Sequence, residues 1–237
     1  MNIDLLVSIL RNSTNSVIET NVLSEETRIP LSIIKKNICG LIKEELVSTI
    51  ERGKIKISEK QRLNLAIFAL QKGADLERVC QALGWKEFED FVAFVLEQNN
   101  FKTIKHYRFK GVKRRYEIDV IGLKKPLLLS VECKHWKRSW RRAATISAIQ
   151  TQIERTISLS QFLPEPRDRL GIAIWSEVEI IPLLLTLSNT PIKIFEGVPV
   201  IPIRFLNNFL NEMLKYMENF MIITKRKEPK QEILSLK

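Results

Sequence analysis

Two short runs decide the fold: Glu117-Ile118-Asp119-Val120-Ile121-Gly122 and Leu128-Leu129-Ser130-Val131-Glu132-Cys133-Lys134. The residues between them include Lys124-Lys125-Pro126, a turn signal, so the runs are predicted to be neighbouring antiparallel strands. If Leu123 pairs with Leu128, Asp119 lies opposite Glu132, and opposed residues point to the same face of a sheet. This register predicts one polar face that carries Asp119, Glu132 and Lys134 together.

The aliphatic residues of the two runs agree with this register. They are expected to share the opposite face of the sheet, which would be the core: Ile118, Val120, Leu129, Val131 and Cys133. A slip of one residue would bury the carboxylates and expose the aliphatic side chains, which costs too much free energy.

The polar face has the composition of a phosphate-cleaving site. Two carboxylates a few Å apart repel each other and suit a divalent cation between them. A lysine two residues beyond the second acid can orient an attacking water or stabilise charge that develops at phosphorus. A structural cluster of ion pairs would use the same three residues, and calorimetry without divalent-metal binding would favour it.

The excess positive charge lies in one segment. Residues 102–142 contain 14 Lys or Arg and three acidic residues, so this segment accounts for the whole net charge of +11. Clustered cations favour a polyanion as partner, because they displace counterions condensed on phosphates. The alternative is a solvated basic face that only keeps the protein in solution.

These motifs resemble the PD-(D/E)XK nuclease superfamily, and most closely Mrr-like restriction endonucleases and archaeal Holliday-junction resolvases. Ile118-Asp119 matches the first half of the motif and Glu132-Cys133-Lys134 the second. The likeness covers about Trp85 to Trp175 and, more weakly, the chain up to Tyr216. It implies that Asp119 and Glu132 bind Mg²⁺, for which Mn²⁺ can substitute, and that Lys134 positions the attacking water.

The resemblance also implies a glutamate on the preceding helix. Residues 85–100 have helical periodicity, and the acids Glu87, Asp90 and Glu97 are predicted to face solvent. Glu89 lies at the edge of the apolar stripe and is expected to face the sheet, so it is the candidate catalytic residue and third metal ligand. The alternative is a helix-edge acid paired with a nearby lysine.

The N-terminal part resembles a winged helix-turn-helix. Ile3–Leu10 has helical spacing, Ser24-Glu25-Glu26 is predicted to start a second helix, and Pro30 a third. A hairpin with its turn at Glu51-Arg52-Gly53-Lys54 closes the unit. Docking of the helix from Pro30 to Ile42 on DNA would use Lys35 and Lys36, and a protein contact is the alternative.

The remaining pattern predicts a mixed α/β core. Strands are expected at Lys102–Phe109, Tyr116–Leu123, Leu127–Lys134 and Leu170–Trp175, with a strand pair around Glu196-Gly197. A helix is predicted over Thr145–Leu163, with an apolar stripe of Ile146, Ile149, Ile153 and Ile157 on one side. The fold class is therefore α/β, a restriction-endonuclease-like mixed sheet flanked by helices and preceded by an all-α winged-helix domain. We divide the chain into a winged helix (1–60), a helical connector (61–84), the nuclease-like domain (85–223) and a polar tail (224–237).

Further cations and aromatic residues are candidates for contact with nucleic acid. Trp136 and Trp140 could stack on bases or cap the edge of the core. Glu117 is expected to be an ion-pair partner, with an extra metal ligand as the alternative. His106 and His135 are too few and too far apart for a metal site. The predicted nucleic-acid contacts near the motif are Lys113, Arg114, Arg115, His135, Lys137, Arg138, Arg141 and Arg142.

Together these features predict a Mg²⁺-dependent DNA endonuclease of the restriction or repair type. A homodimer is expected if both strands are cut. The alternatives are a DNA-binding regulator that keeps the fold without cleavage, and an RNA-processing nuclease. Three scattered cysteines fit the reducing cytoplasm, and no membrane-spanning segment or export signal is predicted.

Overall fold

The computed structural model describes residues 1–13, 17–51, 53–111, 114–136, 141–163 and 169–227. The helices are α1 (Ile3–Asn12), α2 (Thr20–Thr27), α3 (Leu31–Lys43), α4 (Glu59–Gln71), α5 (Leu76–Ala82), α6 (Trp85–Gln98), α7 (Arg142–Phe162) and α8 (Leu206–Glu212). The strands are β1 (Val17–Glu19), β2 (Ser48–Glu51), β3 (Lys54–Lys56), β4 (Lys102–Lys110), β5 (Arg115–Lys124), β6 (Leu127–Lys134), β7 (Glu177–Thr186), β8 (Ile194–Phe195), β9 (Val198–Pro202) and β10 (Ile223–Arg226).

The N-terminal unit combines three helices with a three-stranded sheet of order β1-β3-β2. Its antiparallel β2–β3 pair is the predicted hairpin, and β1 is a further strand that the sequence did not predict. Three-residue β1 carries too short a pattern to stand out in the sequence. The predicted helix start at Ser24 was wrong, because α2 follows β1 directly. The N–H of Thr20 donates to the carbonyl of Gly53 (2.9 Å), which ties the start of α2 to the hairpin.

The large mixed sheet has the order β4-β5-β6-β7-β9-β8, with β10 paired to β7. Strand β7 runs parallel to β6 and β9, and its apolar residues are buried on both faces, as in other parallel sheets. The expected strand at Leu170–Trp175 was wrong. Leu170 and Ile172 are buried there, but Gly171 adopts φ +70° and the chain turns instead.

Helices α6 and α7 pack on the sheet, α6 on β4 and β5 and α7 chiefly on β7. The apolar stripe predicted for α7 was wrong in part, because Ile157 is exposed while Gln152 and Thr156 are fully buried. Helix α7 covers a polar strip of β6. Gln152 Nε2 donates to the carbonyl (2.6 Å) and the hydroxyl (3.0 Å) of Ser130, so its buried face must be polar too.

The core continues from the N-terminal unit into the large sheet. One cluster of buried side chains runs from Leu5 through Leu65 and Phe88 to Met213. The tail is shorter than predicted, because residues 224–226 belong to β10, which pairs antiparallel with β7. No helix in the described ranges is long and apolar enough to span a membrane.

Candidate active site

The site lies where the backbone pairing between β5 and β6 ends, beyond Val120 and Val131. The predicted register is confirmed, since Leu123 pairs with Leu128 and the ladder continues to Val120 and Val131. One step further, the Oδ2 atom of Asp119 accepts a hydrogen bond from the backbone N–H of Cys133 (2.8 Å). The aspartate side chain therefore takes the place of a backbone acceptor and is held at this end of the pairing.

The regular alternation of β5 side chains between the two faces of the sheet is interrupted near Asp119. Val120 joins the core under α6, whereas Ile118 joins the cluster that contains Tyr107 and Leu128. The expectation that Ile118 and Val120 share a face was therefore wrong. His106, which the β4–β5 register sets opposite Asp119, has φ +51°, and this left-handed residue breaks the alternation of the strand.

Glu132 is held by two cations. The residue is 4% exposed, its Oε1 accepts from Lys134 Nζ (2.6 Å), and its Oε2 contacts the Nη1 of Arg155 on α7. Asp119, Glu132 and Lys134 thus come together as the sequence predicted. They do so under α7 rather than on an open face, because both faces of the sheet are covered.

Glu89 approaches from the other side, on α6. Its side chain is fully buried and neither carboxylate oxygen has a hydrogen-bond partner. The Nδ1 of His106 lies 3.4 Å from Oε2 of Glu89, and the same nitrogen lies 3.5 Å from Oε1 of Glu117. Burial, together with the charges of Asp119, Glu117 and Glu132, raises the pKa of Glu89 to about 8.

The electrostatics of Asp119 follow the same pattern. Burial and the neighbouring charge of Glu132 raise the pKa of Asp119 to about 6, and the hydrogen bond from Cys133 opposes that rise. Burial also raises the pKa of the Cys133 thiol, which therefore remains protonated. Three carboxyl groups and two cationic side chains share this small volume. Such perturbed carboxyl groups are typical of functional sites.

The part of the chain that contains these residues matches a known protein family. Residues 80–156 match the family model Mrr_cat, described as a restriction endonuclease. This part of the chain is a restriction-endonuclease domain of the PD-(D/E)XK type. The domain includes the end of α5, all of α6, the β4–β6 strands and most of α7, and it contains Glu89, Asp119, Glu132, Lys134 and Arg155.

Individual relatives are distant. An uncharacterized protein of Archaeoglobus fulgidus is 25% identical over 136 residues, which cover 57% of this chain and 96% of the relative. The crystal structure of AF1548, a protein of unknown function, aligns over 56% of this chain and 67% of its own with 18% identity and a TM-score of 0.37. Can2 from Sulfobacillus thermosulfidooxidans, solved with cyclic tetra-adenylate, aligns over 92% of this chain with 13% identity and a TM-score of 0.37. This chain spans about half the length of Can2 (51%).

The acidic residues of α6 face the sheet or the solvent as predicted, with the exception of Glu87. Asp90 pairs with Lys105, and Glu97 is exposed. Glu87 was expected in solvent, but its side chain is only 14% exposed and forms an ion pair with Arg62 of α4. The sequence could not indicate this partner, 25 residues away. Glu117 is an ion-pair partner as expected, since its Oε2 accepts from Arg108 (2.6 Å).

The three carboxyl groups of the site are donors of the type that a divalent cation prefers. The buried, unpartnered oxygens of Glu89 beside Asp119 are acceptors that need either a proton or a cation. Within the described ranges, no three carboxylate, imidazole or thiol groups converge to ligand distance. Both oxygens of Glu132 are directed to Lys134 and Arg155, so a bound cation would compete with these two groups.

The predicted nucleic-acid contacts are dispersed around the domain. Arg115, Arg141 and Arg142 are exposed, and Lys35 and Lys36 are exposed on α3. Arg114 is paired with Glu154 of α7 (2.9 Å). The His135 ring contacts the Cys80 carbonyl (2.8 Å) and the Phe88 ring, so it faces the connector. Trp136 packs beside the small cluster around Ile149. Lys113, Lys137, Arg138 and Trp140 lie outside the described residues.

Sequence reasoning missed two site residues. A signal for His106 existed, because a turn at Gly111 pairs Lys110 with Arg115 and so brings His106 level with Asp119. Arg155 gave no such signal. It follows Glu154 on α7, and helical periodicity alone does not say which of these two neighbours contacts Glu132.

Proposed function

We propose that the protein is a Mg²⁺-dependent DNA endonuclease that hydrolyses phosphodiester bonds. The observation that carries the proposal is the convergence of Asp119, Glu132 and Lys134 where β5 and β6 separate, with Asp119 fixed by the Cys133 N–H. The proposal is supported by the restriction-endonuclease domain of residues 80–156. The positive charge of residues 102–142 suits a nucleic-acid substrate.

In the proposed site, Asp119, Glu132 and Glu89 would hold the metal ion. When bound, Mg²⁺ acts as a Lewis acid and lowers the pKa of a coordinated water. Lys134, 29% exposed, reaches the open side, where its ammonium group orients the attacking water through a hydrogen bond. Arg155, 24% exposed, stabilises the negative charge that develops on the phosphoryl oxygens. Glu89 and Asp119 must lose their protons to accept a cation, so metal affinity should increase with pH up to about 8.

The N-terminal unit is proposed to be a winged helix that positions duplex DNA. The proposal is supported by the element order α1-β1-α2-α3-β2-β3 and by Lys35 and Lys36, which project from α3 without an ion-pair partner within the described ranges. Exposed Ile33 on α3 and Ile50 on β2 favour a protein contact as the second candidate role of this unit. Lys35→Gln with Lys36→Gln should weaken duplex binding only if α3 docks on DNA, and anisotropy titration would distinguish the two roles.

We further propose that the enzyme acts as a homodimer in the cytoplasm. A two-fold dimer presents two equivalent sites to the two antiparallel strands of a duplex. Cys39, Cys80 and Cys133 are free thiols, which suits a reducing compartment. Sedimentation equilibrium with and without duplex would test the dimer, and a monomer in both conditions would contradict it.

The test is a cleavage assay on linear, supercoiled, methylated and four-way DNA and on structured RNA, each with Mg²⁺, Mn²⁺ and EDTA. Asp119→Asn is the best inactive variant, since its amide oxygen can still accept from Cys133. We expect it to slow cleavage by about 100-fold or more, while DNA binding persists. Residues that only support a metal ligand already change activity by up to about 100-fold, and Asp119 is proposed as a ligand itself. Full activity of this variant, or wild-type cleavage in EDTA, would overturn the proposal. Cleavage restricted to RNA would replace DNA by RNA as substrate. Salt-dependent DNA binding without any cleavage would identify a non-catalytic regulator.

A further inference from the structure

A basic cleft lies at the free end of the β4–β5 hairpin, and we call it the hairpin cleft. Four cations from three chain segments line it together with Tyr116 and Glu117: Arg108, Lys110, Arg115 and Arg169. Arg169 comes from the segment between α7 and β7, far outside the basic stretch of residues 102–142. The fold therefore brings Arg169 next to the cations of the β4–β5 hairpin, which the sequence alone does not show.

Within the described ranges, carboxylates balance only part of the positive charge of the hairpin cleft. Its one carboxylate, Glu117, is bonded to Arg108. Within the described ranges, Lys110, Arg115 and Arg169 have no carboxylate partner. Arg169 instead donates to the carbonyl of Arg108 (3.3 Å) and lies 5.3 Å from the centre of the Tyr107 ring. Cations gathered in a concave surface repel one another, so an anionic ligand is strongly attracted there.

The floor of the hairpin cleft identifies the kind of contact. Phe109 and Tyr116 are each 5% exposed, and their rings stack on each other with centres 5.5 Å apart. Buried rings cannot receive bases, whereas the arginine guanidinium groups suit phosphate oxygens. The cleft is thus built for a phosphate backbone and not for base recognition.

Two side-chain contacts connect the hairpin cleft with the candidate active site. Glu117 lines the cleft and also lies 3.5 Å from His106, which contacts Glu89. Arg115 precedes Asp119 by four residues on β5, which is about 13 Å at about 3.3 Å per strand residue. Since duplex DNA advances about 3.4 Å per base pair, this distance spans at most about four base pairs.

We infer that the hairpin cleft binds the phosphodiester backbone of the substrate within about four base pairs of the bond that is cut. The inference rests on the proposed nuclease function and extends it to the path of the nucleic acid. Contacts of this kind hold the substrate in register without sequence preference.

The test measures how the dissociation constant of a fluorescein-labelled 20-base-pair duplex depends on KCl concentration in EDTA. Each phosphate contact contributes about 0.9 to the slope of log K against log salt. Arg115→Gln with Arg169→Gln should therefore lower the slope by about 1.8, and Arg115→Gln alone by about 0.9. Arg115 makes no side-chain hydrogen bond or ion pair in the described part of the protein, so its single variant keeps the fold.

Lys125→Gln is the matched control, because it removes one exposed cation from the opposite end of the neighbouring β5–β6 hairpin. Its slope should equal that of the wild type. Wild-type slopes in both cleft variants would overturn the hairpin cleft while leaving the nuclease proposal intact. If the wild type itself binds no nucleic acid, the proposed function fails and the cleft inference fails with it.

Discussion

Glu89 is the residue whose surroundings depart most from those of an ordinary surface acid. Its carboxyl group is fully buried without a hydrogen-bond partner, and burial raises its pKa from 4.5 to about 8. A raised pKa means that the folded protein prefers the protonated form. The stability that this preference provides is complete below pH 4.5 and is lost as the pH rises through about 8.

Glu89→Gln, which removes this titration, should therefore become more stable relative to the wild type as the pH rises from 5 to 9 in EDTA. Melting temperatures at five pH values would measure the difference. Glu97→Gln, on the exposed side of the same helix, is the control and should follow the wild type throughout. Parallel curves for Glu89→Gln and the wild type would contradict the buried, unpaired state of this carboxyl group.

Arg155 supports the second prediction at this scale, which depends on the proposed nuclease activity. Its guanidinium holds Glu132 from the α7 side and helps to offset the charge of Asp119. Arg155→Gln should lower kcat by about 10- to 100-fold with a smaller effect on KM, and Arg155→Lys should restore part of it. Unchanged kcat in Arg155→Gln would remove this residue from the site.

The residues of the site were predictable only where a turn fixed their register. Lys125 and Pro126 form a two-residue loop, and counting back from it brings Asp119 and Glu132 together as expected. The interrupted alternation at Ile118 was not predictable. It depends on the left-handed conformation of His106, and a hydrophobic pattern carries no information about one backbone angle in the neighbouring strand.

At the scale of elements, periodicity predicted the bounds of several helices and strands. It predicted less well which side chains each element buries against its neighbours. Strand β6 has the predicted bounds, Leu127–Lys134, and α6 was predicted to within two residues of its end. The polar face of α7 could not be predicted from the helix itself. Gln152 and Thr156 are buried where they form hydrogen bonds with Ser130 of β6. Their burial is a property of the pair of elements and not of the helix alone.

Arg62 is the clearest case of elements held together by a polar group. It is 4% exposed on α4 and donates to the carbonyls of Leu10 (2.6 Å) and Ala82 (3.1 Å), to Ser13 and to Glu87. Arg62→Met should destabilise the protein by about 3–5 kcal/mol, because it leaves Glu87 and two carbonyls without their partner. Urea denaturation followed by circular dichroism would measure this loss.

The exposed ion pair between Arg78 and Asp4 provides the matched control. Its side chains are 39% and 60% exposed, so Arg78→Met should cost at most about 1 kcal/mol. Equal losses in the two variants would show that burial at Arg62 adds nothing.

At the scale of the whole molecule, the N-terminal unit and the restriction-endonuclease domain are joined by packing. The core cluster contains Leu5 and Ile34 of the first unit and Val131 of the large sheet. Helix α5 fixes the connection on the sheet side, since Glu77 accepts from Ser188 (2.6 Å) and the carbonyl of Cys80 contacts His135 (2.8 Å). The distance from α3 to the candidate active site is therefore set by the core and not by a flexible linker.

This continuity predicts that the chain unfolds as one cooperative unit. Amide hydrogens in α1 and in β6 should exchange with opening free energies that agree within about 1 kcal/mol, because neither element can open without exposing their common core. Native-state hydrogen exchange in low urea would measure both, and amides of the exposed β2 strand should exchange more readily as an internal reference. A markedly lower opening free energy for α1 would mean that the N-terminal unit unfolds first. In that case the core would not hold α3 at a fixed distance from Asp119 and Glu132, and a DNA-binding unit would have to deliver its duplex by a mobile connection.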